Sequence, residues 1–483
     1  MKSSSKAFAL PVLVAAVAWL AAAIVIVPPV TPPGSPAAPV SAAGNTYYVA
    51  TDGDDANVGT PAAPWRTIQR AADLMGPGES AYVRAGTYNE GVTLRNAGAP
   101  GTPITFSAYP GETVVLEGGG LINAGFATDF SDPARNISDI AISGFTIRNF
   151  RQNGLAAWST NDRLTLSNLV IEGNGDFGIL ISNSDGARLL NVLMRNNVGG
   201  FSCSPILPPN GPGCTNLRIA DTRAIDNGTG GDTGLDAFAV EKGGDILVER
   251  SLASGGPGDG FDFKSDRTTL SRVIAYNTRN NIKLWGVGST LVNSLAYDAK
   301  ADANLVLVAG GSYTVTNVTI ANMAGTAYLA VVGDTSGSGS TPVSIHNSIF
   351  YNDNPAMAGT VLWLGPSVSL TGAGNNLYYN PFRTDAVICA EYPPHSGQCY
   401  SDADISNHTW VEANSQYANP LFLSASPKDF HLAAGSPAIN AGTSGGAPGL
   451  DLEGRPRAGA PDVGAYEWSP PLGPRAFFPY APR

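Results

Sequence analysis

Three short segments between residues 234 and 285 decide the fold that we predict for this chain. They read Gly234-Leu235-Asp236-Ala237-Phe238, Gly260-Phe261-Asp262-Phe263-Lys264 and Asn281-Ile282-Lys283-Leu284-Trp285. Each begins with a small or polar residue and then alternates apolar with charged positions, which is typical of a β-strand with one buried and one exposed face. Because the segments start only 26 and 21 residues apart, we interpret each as a strand from one coil of a repeating structure.

This alignment predicts an outward-facing column of charged side chains. Asp236, Asp262 and Lys283 occupy the same position in the three segments, so neighbouring members would be separated by the inter-strand spacing of about 4.8 Å. Two carboxylates at that distance repel each other by roughly 3–4 kcal/mol at an effective dielectric constant near 20. The column therefore predicts a bound cation that neutralises the carboxylates, with a lysine beside it.

A second set of segments repeats about ten residues after these strands. The ten copies begin at Gly144, Asn168, Asn191, Asp221, Arg250, Arg272, Asn293, Asn317, Asn347 and Asn375. Neighbouring copies are 21 to 30 residues apart, and six of the ten begin with Asn. Stacked Asn side chains can hydrogen-bond from coil to coil, so we predict an amide ladder at this position.

This period predicts an all-β, right-handed parallel β-helix. A coil of three short strands and three turns needs little more than twenty residues, and stacking the coils creates one continuous core. Leucine-rich repeats share the period, but their Leu-rich consensus is absent from this sequence. Propeller blades would need about 40 residues or more.

Composition agrees with a turn-rich exported protein. The chain has 57 Gly, 36 Pro and only 14% charged residues, with a formal net charge of −11. The acidic balance argues against general nucleic-acid binding. It leaves open an anionic polysaccharide, because four of the seven lysines lie within or just after the stretch quoted above: Lys242, Lys264, Lys283 and Lys300.

The chain divides into three parts. Residues 1–43 read as a signal peptide and Pro-rich leader, because Lys2 and Lys6 precede a long apolar run that ends before small residues. An uncleaved membrane anchor is the alternative, since a run of this length can span a bilayer. Residues 44–468 form the β-helix with its N-terminal cap and C-terminal coils, and residues 469–483 form a tail rich in Pro and aromatic residues. We expect a monomer that is secreted or attached to the cell surface.

Local signals predict a cap and two cross-links. Residues 67–75 read as a short amphipathic helix, stopped by Gly76-Pro77, that covers the N-terminal end of the solenoid. The four cysteines fall into two local pairs, Cys203 with Cys214 and Cys389 with Cys399. Metal binding is the other interpretation, but neither pair has metal-ligand spacing, so we favour two disulfides in an exported chain.

Several motifs at the two ends resemble known sequences. The opening motifs are Tyr47-Tyr48-Val49-Ala50 with Asp52-Gly53, Pro64-Trp65-Arg66-Thr67-Ile68 and Arg84-Ala85-Gly86-Thr87-Tyr88. They resemble the start of bacterial β-helix proteins related to family 9 polysaccharide lyases. The closing motifs are similar to those of many secreted β-helix proteins: Asn419-Pro420-Leu421-Phe422, Ser436-Pro437-Ala438-Ile439-Asn440-Ala441-Gly442 and Asp462-Val463-Gly464-Ala465-Tyr466-Glu467. The resemblance covers roughly residues 45 to 468.

The resemblance implies a calcium-dependent pectate lyase. Its calcium ligands would match Asp236, Asp259 and Asp262, and its catalytic lysine would match Lys283. The sequence departs from the family pattern at Gly258, where the family has the first member of an acidic doublet. With one ligand missing, calcium would either bind more weakly or have its ligands completed by water, Asp232 or Asp266.

The implied reaction is β-elimination on a uronic acid. A base removes the C5 proton while the C4 oxygen leaves, and this requires the adjacent carboxylate to be neutralised. Lys283 can be that base only in its neutral form. Lys264 is a rival base or else an ion-pair partner of Asp262, Arg279 is a candidate substrate contact, and Trp285 would stack on a sugar ring or simply cover the sheet.

Asp259 has a second interpretation, because an Asp beside Gly in a β-helix is often a turn residue that bonds to the backbone. Two other functions also stay open. Glycoside hydrolases with this fold use paired carboxylates, but none of the four histidines lies near the proposed site. A non-catalytic glycan-binding or surface protein is the second, since solenoids offer long binding faces.

Overall fold

The computed structural model describes residues 44–470, apart from 130–134, 206–210, 229–234, 324–327, 335–336, 358, 410–411, 413 and 425–427. The predicted signal peptide and leader, and all but the start of the predicted tail, lie outside the described residues. Among those residues, no helix has the length and hydrophobicity needed to cross a membrane.

The described residues form many short strands and two short helices. The first part contains β1 (Thr46–Val49), α1 (Ile68–Leu74), β2 (Ser80–Val83), β3 (Gly86–Tyr88), β4 (Val92–Leu94), β5 (Ile104–Ala108), β6 (Val114–Glu117), β7 (Ala124–Thr128), β8 (Ile140–Ser143), β9 (Phe145–Arg148), β10 (Asn153–Thr160), β11 (Thr165–Glu172), β12 (Phe177–Asp185) and β13 (Arg188–Arg195).

The middle contains β14 (Gly199–Cys203), β15 (Cys214–Thr215), β16 (Arg218–Ala220), β17 (Arg223–Ile225), β18 (Phe238–Val240), β19 (Gly243–Glu249), β20 (Leu252–Ser254), β21 (Phe261–Phe263), β22 (Asp266–Ser271), β23 (Ile274–Tyr276), β24 (Ile282–Leu284), β25 (Ser289–Val292), β26 (Leu295–Ala299), β27 (Leu305–Val308), β28 (Tyr313–Thr316) and β29 (Thr319–Met323).

The last part contains β30 (Ala330–Asp334), β31 (Thr341–His346), β32 (Ile349–Tyr351), β33 (Leu362–Leu364), β34 (Val368–Gly374), β35 (Leu377–Tyr379), β36 (Ile388–Ala390), β37 (Gln398–Tyr400), α2 (Asp402–Ser406), β38 (Gln416–Tyr417), β39 (Phe422–Ser424) and β40 (Asp429–Leu432).

The strands stack into three parallel sheets that run the length of the molecule. The first sheet runs from β1 and β2 to β31 and β34, and the second runs from β3 and β6 to β35 and β38. The third sheet runs from β4 and β7 through β18, β21 and β24 to β36. Within these sheets, strands pair in parallel with the equivalent strand one coil later, which confirms the predicted right-handed parallel β-helix.

The core is a stack of similar layers, one for each coil, rather than a conventional globular interior. Phe238 and Phe261, on neighbouring strands of the third sheet, stack with ring centroids 5.0 Å apart and nearly parallel planes. Phe261, Phe263, Ile282 and Leu284 are fully or almost fully buried. Burying a side chain of this size contributes about 1.5–3 kcal/mol, so the alignment of aromatic residues between coils strongly constrains strand register.

The ten repeat positions have a different physical role from the predicted ladder. All ten starting residues have a positive φ, between 47° and 85°. This left-handed conformation turns the chain at a corner, and Gly, Asn and Asp adopt it at the lowest cost. Amide contacts are present only in part, as between Asn191 Nδ2 and Asn168 Oδ1 at 2.8 Å. The recurring Asn is therefore explained mainly by backbone geometry and only in part by side-chain stacking.

The predicted N-terminal cap is confirmed. Thr67 caps α1, and its side chain accepts a hydrogen bond from Arg70 N. The carboxylate of Glu90 accepts from the backbone N–H groups of Ile68 and Gln69 at 2.9 and 3.0 Å. These acceptors satisfy N–H groups that a helix start leaves unpaired, while the buried face of α1 packs on the first coil. Helix α2 was not anticipated from the sequence.

The last described segment packs against the outside of the second sheet. Phe430, Leu432 and Val463 form an apolar cluster there with Ile349 and Leu377. Corner asparagines also hold this segment through hydrogen bonds to its carbonyl groups. Asn317 donates to Asp462 O at 2.8 Å, Asn347 to Thr443 O at 2.8 Å and Asn375 to Ala441 O at 2.9 Å. The closing motifs of the sequence thus cover a sheet face.

Both predicted disulfides are present. Cys203–Cys214 joins β14 to β15, and Cys389–Cys399 joins β36 to its antiparallel neighbour β37. The structure contains no free cysteine among the residues that it describes. The second disulfide lies at the C-terminal end of the third sheet.

His431 makes the stability of this C-terminal segment depend on pH. Its Nδ1 lies 2.5 Å from Asp429 Oδ1, and its Nε2 lies 3.1 Å from Glu453 Oε1. Burial opposes the charged ring, but the two carboxylates outweigh it and raise the pKa of His431 to about 9. The native state therefore holds the proton more tightly than the unfolded chain, whose His pKa is near 6.5. This stabilisation is complete below about pH 6.5 and is lost as pH rises through 9.

We therefore expect His431→Gln to lower the free energy of unfolding by roughly 2–3 kcal/mol at pH 6 and by much less at pH 9.5. Thermal unfolding at the two pH values measures this difference. His408→Asn is the matched control, because His408 is exposed and its φ of 53° suits Asn. An equal loss of stability by His431→Gln at both pH values would contradict the ion-pair account.

Candidate functional site

The three segments that decide the fold lie near one another on the third sheet. The predicted alignment of the second segment with the third is correct, but that of the first with the second is wrong. Asp262 pairs with Lys283, as predicted. Ala239, and not Asp236, pairs with Asp262. Alternating patterns fit several offsets equally well, and the core stacking of Phe238 on Phe261 selects the offset that places Asp236 beside Asp259. Gly234, the first residue of the predicted strand, lies outside the described residues.

Asp236 and Asp259 occupy equivalent turns just before their strands. Asp236 Oδ1 accepts from Asp259 N at 2.7 Å, and Asp259 Oδ1 accepts from Asn280 N at 3.1 Å. Asn280 Oδ1 in turn accepts from Ala303 N at 3.1 Å. Each side chain therefore binds a backbone N–H group on the next coil. This supports the turn interpretation of Asp259.

A cluster of three carboxylates lies on the outer face of the third sheet. One oxygen from each of Asp236, Glu241 and Asp262 lies within 4.8 Å of the others, and Asp259 is not a member of this group. Glu241 is not among the site residues predicted from the sequence. In the true register Glu241 follows β18 at the position where Lys264 follows β21, so aligning the two Phe residues would have revealed it.

The cluster is electrostatically costly without a counter-charge. Burial, followed by the charges of Asp262 and Asp259, raises the pKa of Asp236 to about 8. Burial also raises the pKa of Asp262, although Lys264 opposes this shift. Such shifts mark carboxylates that are poorly solvated and insufficiently neutralised. They are typical of sites that perform binding or catalysis.

Lys264 neutralises part of the cluster. Its Nζ lies 2.5 Å from Glu241 Oε2 and 3.6 Å from Asp262 Oδ2. Burial acts to lower the pKa of Lys264, but the hydrogen bond that Lys264 donates to Glu241 and the charge of Asp262 outweigh it, so the pKa is raised. A lysine that holds its proton this firmly is suited to be a counter-ion. It is poorly suited to be a base.

Trp285 connects the cluster to Lys283. Its Nε1 donates to Asp262 Oδ1 at 2.6 Å, and its ring centroid lies 4.7 Å from Lys283 Nζ and 5.7 Å from Lys264 Nζ. Trp285 therefore orients Asp262 and contacts both lysines. Its predicted contact with a sugar ring stays a prediction.

The other predicted residues lie at the edge of the site. Arg279 is on the turn before β24, where its guanidinium is 3.6 Å from Asp302. Asp266 Oδ1 accepts from Val287 N at 2.8 Å in the turn after the site, and Asp266 is not part of the carboxylate group. Asp232 lies outside the described residues.

Gly258 cannot be replaced by an acidic residue without moving the backbone. A Cβ atom at this position would lie 2.1 Å from Leu235 O and 3.0 Å from Asp236 N. The local chain path therefore accounts for the departure from the acidic doublet. We expect Gly258→Asp to destabilise the fold by about 1–3 kcal/mol, as overpacking does, and to weaken cation binding.

Calorimetric titration with calcium and thermal unfolding measure these two effects. Gly260→Ala is the control for a steric clash between an added Cβ atom and the backbone, because its Cβ atom would lie 2.4 Å from Asn281 O. It should destabilise without removing Asp236 from its position. Tighter calcium binding by Gly258→Asp would contradict the backbone account.

The residues present fit a hard divalent cation. Calcium takes six to eight oxygen ligands at 2.3–2.6 Å, so two oxygens bound to one ion lie up to about 5 Å apart. The three carboxylate oxygens fall within that limit, at 4.8 Å or less from one another. Asp236, Glu241 and Asp262 would hold the ion, with the side chain of Asp259 adjoining them.

Comparison with known proteins identifies the repeat region. Residues 47–283 match the family model of the Pel9A-like right-handed beta helix region. The uncharacterized protein YwoF of Bacillus subtilis is 38% identical over 105 residues, which are 22% of this chain and 22% of that protein. Pectate lyase PEL9 of Emericella nidulans is 37% identical over 73 residues, 15% of this chain and 18% of that protein. The chain thus matches about a fifth of the length of these curated relatives.

Two solved structures are similar to this chain at low sequence identity. The crystal structure of pectate lyase Pel9A matches 88% of this chain and 96% of that chain, with 17% identity and a TM-score of 0.48. XylC in complex with xylose matches 72% of this chain and 86% of that chain, with 11% identity and a TM-score of 0.52. The matched region includes Asp236 and Asp262 and ends at Lys283. Over residues 47–283 the chain thus matches the Pel9A-like family, and its fold is a right-handed parallel β-helix.

Proposed function

We propose that this protein is a secreted, calcium-dependent lyase that cleaves a polyuronate by β-elimination, with pectate as the first substrate to test. The observation that carries the proposal is the pairing of Lys283 with Asp262 beside the three-carboxylate cluster. A cation site and a lysine on adjacent strands supply the two functions that the reaction needs. The two disulfides support export, because such bonds persist in oxidising compartments.

Lys283 is the proposed base. Its neutral Nζ takes the proton from C5 of a uronate, the released electron pair forms the C4–C5 double bond, and the C4–O bond breaks. The departing oxygen takes a proton from water. When bound, calcium would neutralise the substrate carboxylate next to C5. Trp285 holds Asp262 in place, and Lys264 balances the charge of Glu241.

A non-catalytic glycan-binding protein is the second candidate. The observation that favours it is the ion pair between Lys264 and Glu241, with Asp262 3.6 Å away. A cluster neutralised by a lysine can persist without metal and present a polar surface to a sugar chain.

A single assay separates the candidates. Incubating the protein with polygalacturonate and calcium should raise the ultraviolet absorbance, because elimination leaves an unsaturated product, and a chelator should abolish the rise. Hydrolysis would release reducing ends without new absorbance. Binding in an affinity gel with neither product would support the glycan-binding candidate.

A further inference from the structure

Positively charged side chains are absent from the part of the sequence that directly follows the proposed site. Residues 241–300 contain Lys242, Lys264, Lys283 and Lys300 together with four arginines, whereas no Lys or Arg occurs from residue 301 to residue 382. This range includes β27, β30 and β33, the next three strands of the third sheet. A substrate carboxylate over these strands would therefore have no cationic side chain from them to pair with.

The outer face of the same strands is apolar. Lys283 pairs with Val306, Val306 with Val331, and Val331 with Trp363. At the inter-strand spacing of about 4.8 Å, Trp363 lies about 14 Å along the sheet from Lys283. The charged residue of β27, β30 and β33 is acidic, Asp334 in β30. This face thus continues directly from the site but changes from charged to apolar.

Two aromatic rings complete this face. Trp363 is half-buried and packs on Val306, Val308 and Val331. Tyr328 is 38% exposed, and its ring centroid lies 6.1 Å from that of Trp363. Val306 and Val331 are buried, with 4% and 9% exposure, so the part of this face that a ligand can contact is the exposed portion of the two rings, in line with Lys283. Rigid aromatic surfaces of this kind bind the apolar faces of flat ligands at little entropic cost.

We propose that Trp363 and Tyr328 form a binding subsite for an uncharged sugar residue of the substrate, either a neutral sugar or a methyl-esterified uronate. This inference rests on the proposed function for the position of the cleaved bond. The substrate is then a uronan that carries a charged residue at Lys283 and an uncharged one about three strands further along the sheet. Full de-esterification of the chain would place a carboxylate on an apolar surface, which carries a desolvation penalty.

The test compares three polymers in calcium: de-esterified polygalacturonate, the same polymer after methyl esterification, and a uronan in which galacturonate alternates with a neutral sugar. Binding is measured by affinity gel in a Lys283→Ala background, and cleavage by ultraviolet absorbance in the wild-type background. We expect at least one of the two polymers with uncharged residues to bind more tightly than de-esterified polygalacturonate. Which one does so distinguishes the neutral sugar from the ester.

Trp363→Ala and Tyr328→Ala should each weaken that preferred binding by about three- to tenfold, the size of an aromatic stacking contact, and should barely affect the de-esterified polymer. Trp363→Phe keeps a ring and should keep most of the preference. Tyr82→Ala is the control, because Tyr82 is a half-buried aromatic residue on the first sheet, far along the chain. Tyr328→Ala guards against a folding defect in Trp363→Ala, since Tyr328 is the more exposed ring.

The inference is overturned if the wild-type protein shows no preference, or if the variants weaken binding to all three polymers equally. Its failure is distinct from failure of the proposed function. Selective, Trp363-dependent binding without any ultraviolet product would refute the lyase and retain the subsite. Elimination that is insensitive to Trp363 and Tyr328 would retain the lyase and refute the subsite.

Discussion

Replacing Lys283 with alanine is expected to slow elimination by about a hundred- to ten-thousand-fold, the usual contribution of a positioned general base. Calcium binding should persist, because Lys283 is not one of the clustered carboxylates. Lys283 points away from the core, so no cavity forms. The lost contact with the Trp285 ring costs about 0.5–1 kcal/mol, which leaves the fold intact. Initial rates, calcium titration and thermal unfolding measure the three quantities.

Arginine at this position separates proton transfer from charge. Lys283→Arg should be almost as inactive as Lys283→Ala if Lys283 removes a proton, because a guanidinium stays protonated. It should keep much of the activity if the only role is to neutralise the substrate.

Lys264→Ala is the matched lysine control. Lys264 is the counter-ion of Glu241, so its loss should weaken substrate binding more than turnover. If Lys264→Ala is inactive while Lys283→Ala is active, the base has been assigned to the wrong lysine. If neither substitution matters, the lyase proposal fails.

The fold could be predicted from the sequence because its signals are local and repeated. Each coil returns within a narrow range of residues, and each corner demands a left-handed residue, which Asn and Gly supply most easily. The helix cap before Ile68 and the short spacing of each cysteine pair are equally local. These elements could therefore be predicted without knowing the long-range packing of the chain.

The site was only partly predictable because it depends on register. The Asp262–Lys283 pair was found, since the two segments match without a gap. Asp236 was placed in the wrong column because an alternating pattern cannot choose between offsets. The choice is made in the core, where Phe238 must stack on Phe261. Because of the same error, Glu241 was not predicted as a site residue. Only the correct register places it beside Lys264 on the next coil.

Asp236→Asn should have opposite effects on the metal-free and the calcium-loaded protein. The amide can keep the hydrogen bond from Asp259 N to the side-chain oxygen, so the turn survives while the buried negative charge disappears. In the wild-type protein the pKa of Asp236 is raised to about 8. The native state then binds more protons than the unfolded chain between the ordinary Asp pKa near 3.9 and pH 8, so the metal-free stability falls as pH rises through that window.

At pH 8.5 in chelator, we therefore expect Asp236→Asn to be more stable than the wild-type protein by about 2 kcal/mol or more, with little difference at pH 4. Added calcium should reverse the order. A ligand at 100 times its dissociation constant stabilises the native state by about 2.7 kcal/mol, and the variant should gain much less because it has lost a carboxylate. Thermal unfolding in chelator and in calcium measures both effects.

Asp266→Asn is the control for this experiment, because Asp266 begins β22, accepts a hydrogen bond from Val287 N and is not part of the cluster. It should show the wild-type response to calcium at every pH. Equal stabilisation of Asp236→Asn and wild-type protein by calcium would remove Asp236 from the cation site. A metal-free variant no more stable than the wild-type protein at pH 8.5 would show that Lys264 already neutralises the cluster, and the glycan-binding candidate would then be favoured.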